Sequence, residues 1–97
     1  HPSMIIGACR LRLYLPGVVS LKEKRSVLKP LQHQLRRTFE VAVAETDHQD
    51  VWQSAEIAVV AVATDAGHIY SVLEKAVHWV EDNYYQVQVM DWDVELR

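Results

Sequence analysis

The sequence predicts an α+β domain of order βαββαβ, in which two helices cover one face of a four-stranded antiparallel sheet. Three observations carry this. Segments whose apolar residues alternate with period two are interleaved with two segments of helical period. Turn and capping residues, notably Pro16-Gly17, Ser20 and Asp65, fall between them. The chain has 97 residues, 49% hydrophobic and 24% charged, which suits one compact domain and rules out two. With right-handed crossovers, this order is the split βαβ or ferredoxin-like sandwich, and its strand order is 4-1-3-2.

The first strand is Ile5 to Leu15, with Ile5, Cys9, Leu11, Leu13 and Leu15 on one face and Ile6, Ala8, Arg10, Arg12 and Tyr14 on the other. Pro16-Gly17 ends it in what reads as a type II turn, with Gly17 supplying a positive φ. Ser20 is an N-cap, and Glu23 three residues later completes a capping box. The helix that follows carries Leu21, Val27, Leu28, Leu31 and Leu35 to about Arg37, and Pro30 removes a backbone donor and predicts a kink. Phe39, Val41 and Val43 alternate with Glu40, Ala42 and Ala44 as a second strand. Thr46 to Gln53 form a polar connection, and Glu56 to Thr64 read as a third strand, apolar on both faces. Thr64 or Asp65 caps a second helix whose Ile69, Val72, Leu73, Ala76 and Val80 form one stripe, and Asn83 closes it. The last strand, Gln86 to Leu96, shifts its apolar phase from Val87 and Val89 to Met90, Trp92, Val94 and Leu96, which predicts a bulge.

Several function classes are set aside at this level. The longest apolar run, Ile57 to Ala63, is far shorter than the ~20 residues that cross a bilayer, and no signal pattern opens the chain, so the expected location is the cytoplasm. His1-Pro2-Ser3 precede Met4 and read as a cloning remnant, leaving residues 4–97 as the domain. The single cysteine, Cys9, forms no internal disulfide, and ligand spacing for zinc is lacking, so neither metal nor cofactor is expected. The GxSxG and phosphate-loop patterns are lacking too, and the protein is not expected to be an enzyme.

The net charge of -3 hides an asymmetry. Lys22, Lys24, Arg25, Lys29, Arg36 and Arg37 face one acid, Glu23, between residues 20 and 37, whereas residues 38–97 hold twelve acids against Lys75 and Arg97. Any polyanion partner therefore concerns one element. The last strand lies beside the first, so Asp91, Asp93 and Glu95 meet Arg10 and Arg12 across the open face of the sheet and give those arginines a structural role.

The stretch Ile5 to Gly17, the string Ser20-Leu21-Lys22-Glu23-Lys24-Arg25, and the run from Val43 through Asp47-His48-Gln49-Asp50-Val51-Trp52-Gln53 together resemble the YlxP-like family of bacterial proteins, a domain of unknown function. The resemblance extends from Met4 to the C-terminus. Pro30 departs from it, standing where relatives carry helical residues. It implies a ferredoxin-like fold. Genes of this family often neighbour those for translation initiation and ribosome maturation, so it also implies a connection to RNA or the ribosome. It implies no catalytic residue.

Lys22, Lys24, Arg25, Lys29, Arg36 and Arg37 are the candidate nucleic-acid-binding residues. Lys22, Lys24 and Arg25 sit at the positive end of a helix dipole, where cations cost ~0.3–1 kcal/mol each, and Lys22, Arg25, Lys29 and Arg36 follow one another at helical spacings. Such a row can follow a phosphate backbone, and without an aromatic RNA-binding motif it would read phosphate and shape. The plain alternative is a solvated helix face. A second candidate is the loop of Asp47, His48, Asp50 and Trp52, whose acids are expected to hold turn amides while Trp52 fills the core or an interface. His33 and His78 read as isolated surface histidines and Cys9 as a buried, inert thiol. The third candidate is the open sheet face: Ile6, Ala8, Tyr14, Ala42, Ala44 and one set from Ile57 to Ala63 are too apolar for water. A homodimer, a bound partner or a small ligand would cover it. The resulting expectation is a non-enzymatic bacterial accessory protein that binds structured RNA or a ribosomal surface through the basic helix and is homodimeric through the sheet, the alternative being a dimeric protein-interaction module with no nucleic-acid role.

Overall fold

The computed structural model describes residues 4–48 and 50–97; His1–Ser3, read above as a remnant, and Gln49 of the loop string lie outside the described residues. The elements are β1 (Ile5–Tyr14), α1 (Leu21–Phe39), β2 (Ala42–Asp47), β3 (Ser54–Ala63), α2 (Ala66–Asn83) and β4 (Gln88–Leu96). One sheet has the order β2-β3-β1-β4, every neighbouring pair antiparallel. This is the predicted ferredoxin-like topology.

Alternation decides which residues meet the helices. Cys9, Leu11 and Leu13 of β1, Ala55, Ile57 and Val59 of β3 and Val43 of β2 are buried on the covered face. Leu28, Leu31 and Leu35 of α1 and Ile69, Leu73, Val77 and Val80 of α2 are buried against them. Each fully buried aliphatic side chain here contributes roughly 1.5–3 kcal/mol. Gly7 leaves room for a side chain of α2, since a Cβ there would lie 2.2 Å from Ile69 Cγ2. Cys9 has no exposed surface. Burial, and secondarily the nearby Asp93 charge, pushes its thiol up to about 12, so the folded protein keeps it protonated and unreactive at neutral pH.

The helix ends follow their sequence signals. Ser20 Oγ accepts from the Glu23 amide at 3.1 Å, and Glu23 Oε2 accepts from the Val19 amide at 2.8 Å, a capping box displaced by one residue. Of the two candidate caps for α2, Asp65 fills the position, accepting from the His68 amide at 2.8 Å. The bulge in β4 is present: the register with β1 shifts between Arg12 and Leu13, which leaves Met90 without a partner. Among the described residues, no helix is long and apolar enough to cross a membrane.

Three local expectations are corrected. Phe39 does not begin the second strand. It ends α1, because its ring packs edge-on against Trp79 at 6.1 Å and Glu40, at φ 52 and ψ 50, closes the helix in the left-handed conformation. The strand pattern continues instead to Asp47. Gly17 lacks a positive φ, so the turn closed by the Val18 amide on the Leu15 carbonyl at 3.2 Å is not type II. Pro30 lies inside α1 and removes one backbone donor as expected; it and Ser26, whose carbonyl loses its i+4 donor, are both exposed to water. Asn83 is the last residue of α2, not its cap, and its side-chain amide donates to the Trp79 carbonyl at 2.9 Å.

Candidate nucleic-acid interface

Helical phase divides the six cations of α1 into three groups. Lys24 shares its face with Leu28, Leu31 and Leu35 and is only 2% exposed. Its ammonium group donates to the His48 carbonyl at 2.5 Å and pairs with Glu45 Oε2 at 2.9 Å. The expectation that Lys24 contacts nucleic acid is therefore corrected: its charge is turned inward and neutralised by a carboxylate on β2. Arg36 is exposed in part, but its guanidinium donates to the Val43 carbonyl at 2.8 Å and ties α1 to the edge strand. Lys22, Arg25, Lys29 and Arg37 are exposed, and none of them forms an ion pair among the described residues.

Arg25, Lys29 and Arg36 lie along the flank of α1 that faces β2, and Lys22 continues their stripe at the exposed start of the helix. Between helix and strand runs a groove of about 330 Å³ lined by Arg25, Leu28, Lys29, Gln32 and the Lys24–Glu45 pair. Arg25 and Lys29 stand on its wall with one carboxylate, Glu45, opposite, and that carboxylate already shares its charge with Lys24. The wall thus carries uncompensated positive charge over about one helical turn.

The loop of Asp47, His48, Asp50 and Trp52 meets the start of α1. Besides the Lys24 contact, Gln53 Nε2 lies 3.2 Å from the Pro16 carbonyl and 3.3 Å from that of Val18, and the Leu15 amide donates to the Gln53 carbonyl at 2.9 Å. The SLKEKR string and the Asp47–Gln53 string, far apart in the chain, are thereby held against one another. Asp47 Oδ1 accepts from the His48 amide at 2.8 Å, the turn role expected for it. His48 adopts φ 62 and its ring is exposed, as is Asp50. Trp52 does not fill the core: it is 50% exposed, beside Val51 at 46%.

The two arginines of β1 are paired within the sheet, whereas Lys75 of α2 is exposed. Arg12 reaches Asp91 at 2.7 Å, Asp93 at 3.3 Å and Glu56 at 3.7 Å, and Arg10 reaches Asp93 at 3.4 Å, the cross-strand pairing expected from the register Arg10↔Asp93 and Arg12↔Asp91. The hydrogen bonds from Asp91 and Asp93 raise the Arg12 pKa further. His33 is exposed, and His78 Nδ1 stands 3.0 Å from Glu81 on the surface of α2.

The family profile described as "Protein of unknown function (DUF503)" matches residues 6–94. The chain belongs to this family. It is similar to the uncharacterized protein YlxP of Bacillus subtilis (strain 168), at 30% identity over 73 residues, which covers 75% of this chain and 77% of that protein. Among solved structures it resembles the de novo designed protein Foldit4, with a TM-score of 0.53 and 14% identity over 98% of this chain and 97% of that one. That likeness concerns the fold alone.

Sequence reasoning missed the Lys24–Glu45 pair although a signal was present. Residues 24, 28, 31 and 35 follow the four-three-four spacing of a buried face, so the lysine already occupied a core position. The groove had no such signal, because it depends on which flank of α1 the edge strand approaches.

Proposed function

We propose that the protein is a non-enzymatic accessory factor that binds RNA or a ribosomal surface through the α1 groove, the phosphates lying along Lys22, Arg25 and Lys29. The observation that supports this reading is the unpaired charge on one flank of one helix in a chain of net charge -3. Arg10, Arg12 and Lys24 are paired within the fold, whereas Lys22, Arg25 and Lys29 stand in water along one stripe of α1, Lys22 in the first turn where the helix dipole disfavours a cation. In fluorescence polarisation with structured RNA, substituting Lys22→Gln, Arg25→Gln and Lys29→Gln together is expected to weaken binding at least tenfold at low salt. Unchanged affinity contradicts the reading.

A second reading is favoured by the open sheet face. Ile6 and Ala8, Ala42 and Ala44, and Val60 and Val62 share it, Val62 being 61% exposed. With strands ~4.8 Å apart and ~3.3 Å per residue, the face offers ~600 Å², so two copies face to face would bury ~1,200 Å², the lower bound for a stable interface. Arg10 and Arg12 offset most of the charge of the adjoining Asp91, Asp93 and Glu56, which leaves a small negative excess for a second copy to meet there. We infer a homodimer through this face. Light scattering is expected to give twice the chain mass for the wild type and the single mass for Val62→Glu; a wild-type monomer at high concentration contradicts it.

A further inference from the structure

Trp52 and Val51 place two adjacent apolar side chains in water, and core packing does not account for them: the ring contacts among the described residues join Phe39, Trp79 and Tyr84, not Trp52. The segment that carries them is fastened at both ends. The His48 carbonyl accepts from Lys24 Nζ and from the Val51 amide at 3.0 Å, and Gln53 is bonded to the turn that precedes α1. An indole is thus presented to solvent from a pinned loop, and the Lys24 side chain that bonds this loop also lines the cationic groove together with Arg25 and Lys29.

We propose that Trp52 is a stacking platform for an unpaired nucleobase of an RNA strand whose phosphates follow Arg25 and Lys29, an inference that rests on the polyanion reading of α1. A positive track with an aromatic face at its end is the pairing of parts that binds single strands, since every base offers a π-face to an indole regardless of sequence. A duplex keeps those faces inside its stack, so the same parts discriminate unpaired from paired RNA. The charges near the indole fit this division. Asp47 and Asp50 flank the loop and repel phosphate from it, while the helix flank attracts it, so the strand lies with backbone toward α1 and base toward Trp52.

The test compares a short oligouridine strand with a blunt RNA duplex, using the wild type, Trp52→Ala, Trp52→Phe and the triple Lys22→Gln, Arg25→Gln, Lys29→Gln variant. Trp52→Ala is expected to weaken single-strand binding about 5- to 100-fold and leave duplex binding unchanged, while Trp52→Phe retains most of the affinity. Indole fluorescence should fall when the wild type binds the single strand, and this quenching should vanish in Trp52→Phe, a signature that a structural role for the ring would not produce. If Trp52→Ala binds the single strand as the wild type does while the triple variant loses it, stacking is overturned and the groove reading stands. Equal losses on single strand and duplex also overturn stacking, and no binding by the wild type overturns both.

Discussion

Lys24→Met is expected to lower the free energy of unfolding by about 2–4 kcal/mol in urea denaturation, although the change is from a charged to an apolar residue at a buried site. The reason lies in what remains. Methionine keeps the aliphatic stem that packs beside Leu28, but Glu45, mostly buried at 23% exposure, loses its counter-charge at 2.9 Å, and the His48 carbonyl loses a charged donor. Removing one partner of such a pair costs more than removing both, because the survivor stays desolvated. The double variant Lys24→Met, Glu45→Leu should therefore recover much of the loss. If Lys24→Met unfolds with the wild type, the inward ammonium is not holding the loop.

Gly7→Ala is expected to cost about 1–3 kcal/mol, a large effect for one methyl group. The new carbon would stand 2.2 Å from Ile69 Cγ2 and 3.2 Å from Leu73 Cδ1, and both of those side chains are wholly buried, so α2 must shift away from β1 or Ile69 must leave its rotamer. Shortening Ile69 opens the space. The combined Gly7→Ala, Ile69→Ala variant should lose less stability in thermal or urea unfolding than the two single losses added. Strict additivity would show that this contact does not set the distance between helix and sheet.

These two residues also mark what the sequence made legible. Alternation and helical period gave the element order, the covered face of β1 and the cross-strand ion pairs, because each depends on spacing within one segment plus a topology with few alternatives. Phe39 was misassigned because its alternation with Val41 and Val43 is equally good as a strand. The deciding contact, with Trp79, is forty residues away. Lys24 was misread for a different reason: charge suggested solvent, whereas position on the helix indicated the core, and position prevailed once Glu45 lay opposite. Trp52 failed in the opposite direction, apolar by type but left in water by a loop whose conformation is set by Lys24 and Gln53.

The central claim is that three exposed cations on one flank of α1 contact phosphates. Its most direct measurement is the slope of log affinity against log salt concentration for a single RNA, with the wild type and the Lys22→Gln, Arg25→Gln, Lys29→Gln variant side by side. Each lost phosphate contact removes about 0.7–0.9 from that slope, so the account predicts a variant slope shallower by about 2–3. Equal slopes for the two proteins would contradict it.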